Sequence, residues 1–146
     1  MEHKMNMKDQ NTKAFVLAGN ALFTVESATD NTRFTYKVNK SEDGKVWFVS
    51  LLTGPNNESD YKYICYFRDD MIVKVSQKSA MRYKSEPVSL FRYLLKQMNS
   101  GIQSMFELSV YHSGKCGRCG RTLTTPRSIE LGFGPECVKW VLGGKL

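Results

Sequence analysis

Three cysteines near the C-terminal end carry the sharpest chemical signal in the chain: Cys116, Cys119 and Cys137. A Cys-x-x-Cys pair lets two thiolates converge on one metal ion from a tight turn, and Gly117 and Gly120 give that turn the backbone freedom it needs. Cys137 follows Gly132-Phe133-Gly134-Pro135, which reads as a bend and a helix start. That places Cys137 in a first helical turn, where the helix dipole favours the metal-binding thiolate. Thr125-Pro126 and Gly132 bracket a further short helix between the two halves of the motif. A tetrahedral zinc ion needs a fourth donor. His112, at the end of an expected strand just before the pair, is the candidate that completes a His-Cys₃ set; water, Cys65 or an acidic residue are the alternatives. Cys65 sits in an aromatic strand and reads as a core residue, and His3 lies in a polar N-terminal segment. A redox pair needs a helix beginning at its first cysteine, and a disulfide leaves Cys137 unexplained, so zinc is the better fit.

The stretch CGRCGRTLTTPRSIELGFGPEC, from Cys116 to Cys137, closely resembles DUF6011, a family of unknown function common in bacteriophage and prophage proteins. The family pattern is CGRCGRxLTxPxSIxxGxGPxC, and every one of its positions is met. The segment before it, with Thr32 to Lys37, Leu52 to Pro55 and Ser59 to Tyr61, looks like the region that accompanies the motif in small phage proteins. The resemblance implies a zinc-ribbon-like element and a phage-type origin, and it implies no established activity.

A zinc ion closed by three thiolates and an imidazole has no open position, so the site is expected to be structural. No paired carboxylates, Ser/His/Asp set, Walker loop or HExxH motif appears elsewhere, which points away from an enzyme. The formal charge of +7 favours polyanionic partners, although it serves solubility equally well. Lys115, Arg118, Arg121, Arg127 and Lys139 are candidate phosphate contacts around the motif, joined by Lys145, and Trp140 is a candidate stacking residue. Tyr36, Trp47, Tyr61, Tyr63 and Tyr66, interleaved with Arg33, Lys37, Lys45 and Lys62, suggest an aromatic and basic platform for DNA or RNA single strands. Each feature also has a plainer account: Trp140 as a cap on the zinc module's core, the tyrosines as half-buried sheet residues, the arginines as balance for the thiolate charge. The alternative function is a protein that binds and inhibits a host enzyme or defence complex. The sequence leaves the oligomeric state open.

These residues need a frame to hold them. The chain has 146 residues with 41% hydrophobic and 12% aromatic content, enough for one core and a small appended module. No apolar run suits a membrane span and the start lacks an apolar signal region, so a reducing cytoplasm (the host's, for a phage protein) is the expected setting. Residues 1–12 read as a flexible tail. From Lys13 to Ser76 the pattern is strands: Ala21–Val25, the cleanly alternating Arg33–Val38, a turn at Glu42–Lys45, the doubly apolar Val46–Leu52, Tyr61–Phe67 and Met71–Val75. Ser85 as N-cap, Pro87 in the first turn and Val88, Phe91, Leu94, Leu95 and Met98 on one face predict a helix that ends at Asn99–Gly101. A last strand, Met105–Tyr111, leads into the cysteines. The expected fold is α+β: an antiparallel meander with one packed helix over 13–111, and a zinc-knuckle or ribbon-like module over 112–146.

Overall fold

Period-two alternation of apolar residues builds one six-stranded antiparallel sheet in the computed structural model, which describes residues 2–5, 11–29, 31–100 and 108–141. The strands are β1 (His3–Met5), β2 (Asn20–Ser27), β3 (Arg33–Lys40), β4 (Trp47–Leu52), β5 (Tyr61–Phe67) and β6 (Leu108–His112). Their spatial order is β1-β6-β2-β3-β4-β5. Among the described residues four helices accompany them: α1 (Asn11–Leu17), α2 (Glu86–Ser100), α3 (Pro126–Leu131) and α4 (Pro135–Val141). The architecture is the expected α+β arrangement. β2 to β5 form a meander, and after α2 the chain returns on the far side of β2 as β6.

One face of the sheet makes the core. Phe23, Val25, Tyr36, Val38, Val49, Phe67 and Val110 are buried there, and α2 covers them with Val88, Phe91, Leu94 and Leu95. The Phe91 ring meets Tyr36 at 5.2 Å, Phe67 at 5.8 Å and Phe23 at 6.5 Å, and the Tyr36 hydroxyl donates to the Pro87 carbonyl at 2.7 Å. Ser85 stands at the head of α2, where its carbonyl accepts from the Ser89 N–H at 2.9 Å. Its buried hydroxyl has no partner among the described residues, so the cap is made by backbone alone.

Three expectations are corrected. Residues 1–12 are not simply a tail. His3–Met5 pair with β6, with Met5 buried, and α1 begins at Asn11; residues 1 and 6–10 lie outside the described residues. Met71–Val75 is not a sheet strand. Met71 takes φ +61°, the Ile72 N–H is held by the Asp70 carboxylate at 3.0 Å, and only Lys74 bridges back to Tyr66. The chain leaves the ladder because the turn after β5 demands a left-handed residue there. Finally, a single buried cluster runs from Met5, Phe15 and Phe23 through to Cys116, Leu131, Phe133 and Val138, so the cysteine-bearing end shares its core with the sheet. The start of the last strand is observed at Leu108; residues 105–107 lie outside the described residues, as does the expected stop at Gly101.

Candidate metal centre and the open face of the sheet

The knuckle is a hydrogen-bonded turn. The Cys116 N–H donates to the Arg121 carbonyl and the Gly120 N–H to the Cys116 carbonyl, each at 2.9 Å, while Lys115 bridges Thr122. Gly120 takes φ +79°, a conformation that a side chain would strain. The chain then enters α3, where the Thr125 hydroxyl accepts from the Ser128 N–H at 3.3 Å and Gly132, at φ +81°, closes the helix onto the Ser128 carbonyl at 2.8 Å. Pro135 opens α4, and Cys137 follows in its first turn. The sulfurs of Cys116, Cys119 and Cys137 all lie within 4.8 Å of one another, close enough to share one metal ion. Cys116 and Cys137 face the protein and Cys119 faces solvent.

The surroundings favour thiolate at Cys116. Burial raises the Cys116 thiol, but backbone N–H groups of Cys119, Gly134 and Arg118, with the Cys119 side chain, carry it below its ordinary value. Burial pushes the Cys137 thiol up; Arg118 opposes this, while the neighbouring sulfurs of Cys116 and Cys119 add to it. A cation shared by the three sulfurs would turn that mutual repulsion into attraction. Arg118 is already part of the arrangement: its Nη1 lies 3.6 Å from the Cys137 sulfur, and its guanidinium stands over the Trp140 ring at 5.4 Å.

The centre is seated on the sheet by Phe15. This ring is fully buried, 5.9 Å from Phe133 and 5.6 Å from His112. A Cβ on Gly117 would sit 2.6 Å from it, and one on Gly132 would sit 2.7 Å away, so the two glycines form the walls of its pocket. The Gly117 carbonyl also accepts from the Asn20 N–H at 2.9 Å, tying the knuckle to β2. Sequence reasoning missed Phe15. Thr12, Phe15 and Val16 are buried together at a helical spacing of three and four, but the helix that carries them is only seven residues long.

His112 is not brought to the sulfurs. Its Nδ1 accepts from the Gly114 N–H at 3.0 Å, which leaves Nε2 protonated and donating to the Ile129 carbonyl at 2.6 Å. Both nitrogens are engaged, so the expected His-Cys₃ set is corrected: His112 locks α3 to β6 instead. Cys65 is equally remote in function. It is buried on β5 opposite Val49, and burial pushes its thiol up to about 12.

The basic candidates divide. Lys115 and Arg121 are exposed. Arg127 lies 3.4 Å from Glu130 and Lys139 lies 3.7 Å from Glu136, both on the surface. Trp140 is 75% exposed, so it does not cap the core. Lys145 lies outside the described residues. Of the expected sheet platform, Tyr36 and Trp47 are corrected to core residues, since both point inward and the Trp47 indole donates to the Leu17 carbonyl at 3.0 Å. The opposite face carries no helix among the described residues. Cross-strand register sets Tyr111 beside Thr24, Lys37 beside Ser50, Ser50 beside Tyr63, and Phe48 beside Tyr66. Cations stand over several of these rings: Lys37 over Tyr61 at 5.1 Å, Arg68 over Tyr66 at 5.4 Å and Arg33 over Tyr111 at 5.4 Å. Arg33 is also paired with Glu26 and Glu2.

No curated protein and no solved structure matches the chain. A family model does match at the cysteine-bearing end. Residues 107–141, which hold all three converging cysteines, match the model of DUF6011, a family of unknown function, so this end of the chain is similar to that family's domain.

Proposed function

We propose that the protein is a non-enzymatic nucleic-acid-binding module of phage type, held together by one structural zinc ion and taking single strands across the open face of its sheet. Three converging thiolates suit a thiophilic, tetrahedral ion such as zinc. The observation that carries the binding reading is that open face. Phe48 is 42% exposed there, paired with Tyr66 and 6.1 Å from Tyr63, and Tyr61 and Tyr111 lie elsewhere on the same face, with Lys37 over Tyr61 and Arg68 over Tyr66. Aromatic planes accept unpaired bases and the lysine and arginine heads accept phosphates, a pairing that tolerates any sequence.

The test is binding of labelled DNA and RNA oligonucleotides by zinc-loaded protein over a range of salt. Affinity should fall steeply as salt rises. Phe48→Ala should weaken binding about 10-fold, the effect of losing roughly one stacked base, with the thermal midpoint unchanged because the ring is on the surface. Protein that binds no oligonucleotide at low salt overturns this reading. The same face also carries the half-buried Leu22 and Leu52, which favours a protein partner as the second reading. In that case Phe48→Ala should abolish capture of a host protein, and nuclease treatment should leave the capture intact.

A further inference from the structure

The sulfur cluster is one donor short of a tetrahedron. Among the described residues no fourth histidine, cysteine or carboxylate joins Cys116, Cys119 and Cys137, and both nitrogens of His112 are bound to backbone. We infer that the fourth coordination position of this centre takes an exchangeable neutral donor, of which an imidazole nitrogen is the best-suited class, and that Arg118 is the positioning residue that holds the three-thiolate set in charge balance. The inference rests on the reading that the cluster binds a divalent metal.

Two observations carry it. Cys119 is exposed while Cys116 and Cys137 are buried, so the centre lies at the surface with solvent on one side. Arg118 supplies the charge. Three thiolates and a divalent ion leave one net negative charge, and the guanidinium 3.6 Å from the Cys137 sulfur cancels it. A neutral donor preserves that balance. A fourth thiolate would add an uncompensated charge beside two buried sulfurs. Binding is a ligand substitution: water leaves as a nitrogen lone pair arrives, with no change of oxidation state. Among the described residues no carboxylate or imidazole stands with the sulfurs to accept a proton, so the position suits ligand capture, not hydrolysis.

The experiment uses the full chain, reduced and loaded with cobalt(II), whose visible bands report the ligand set of a tetrahedral site. Imidazole and 2-mercaptoethanol are titrated in parallel. Imidazole should shift the bands saturably while cobalt remains bound, and at concentrations at least about 10-fold below those at which the thiol acts. Arg118→Gln should weaken metal binding about 10-fold, the usual effect of removing an outer-shell partner. Bound cobalt whose spectrum ignores imidazole overturns the open position and leaves the metal reading standing. A response to thiol in preference to imidazole overturns the neutral-donor assignment, and unchanged affinity in Arg118→Gln overturns the role of that residue. Failure to take up cobalt at all overturns the metal reading and this inference together.

Discussion

Both ring nitrogens of His112 hold backbone groups, and the ring itself lies between His3, 5.2 Å away, and Phe15, 5.6 Å away. Burial holds its pKa below the ordinary 6.5, with His3 adding to the effect and the Ile129 carbonyl opposing it. The folded protein therefore prefers the neutral ring, and the unfolded chain takes up the proton more readily. The stabilisation from this group is complete above 6.5 and is lost as pH falls through the lower, folded value. A proton on Nδ1 also breaks the bond from Gly114. Titration of the His112 ring by NMR should give a midpoint below 6.5, and a midpoint at or above it would contradict the neutral, doubly bonded ring. The position of His112 beside the knuckle was legible in the sequence, but its partners were not. One of them, the Ile129 carbonyl, lies seventeen residues along the chain and belongs to a helix that only tertiary packing brings near.

Local chemistry decided which elements could be read in advance. α3 was legible because every device that bounds it is a residue type: Thr125 accepts the Ser128 N–H, Pro126 starts the turn and Gly132 takes the left-handed cap. Replacing Thr125 by alanine should cost about 1 kcal/mol, seen as a lower denaturation midpoint. No change would mean that packing of Leu131, not the cap, bounds the helix. α2 and the alternating β3 were legible for the same reason, through caps and period. α1 was not. It is seven residues long, too short for its period to stand out, and its Phe15-Val16 pair is equally at home in a strand. β1 was hidden by its polar residues; it forms because β6 offers it an edge and Met5 finds the core. Met71 to Val75 carried a strand's composition without a strand's geometry, since composition cannot reveal a left-handed residue at Met71.

At the scale of the whole molecule, the converging cysteines and the sheet belong to one packed body. The knuckle carbonyl of Gly117 bonds β2, α3 touches β1, and Phe15 fills a pocket walled by the two glycines. Removing a metal held by the three sulfurs, as proposed, should therefore lower the stability of the sheet as well as of its cysteine-bearing end. Calorimetry of chelator-treated, reduced protein should show one transition at lower temperature. Two separate transitions would mean that the ends fold independently. The division into a sheet unit and a module was the natural reading of the sequence because composition changes abruptly near His112, whereas the contacts that erase the boundary run between Phe15 and residues more than a hundred positions away.

That pocket also has a consequence for synthesis. A ribosome releases Phe15 long before Gly117, Gly132 and Phe133, the residues that enclose it. Until they emerge, a growing chain must carry that aromatic ring without their cover, and an interrupted chain carries it so permanently. A chain that stops before α3 and α4 therefore leaves the Phe15 ring without its enclosing walls, the kind of exposed apolar surface that makes incomplete chains prone to aggregate.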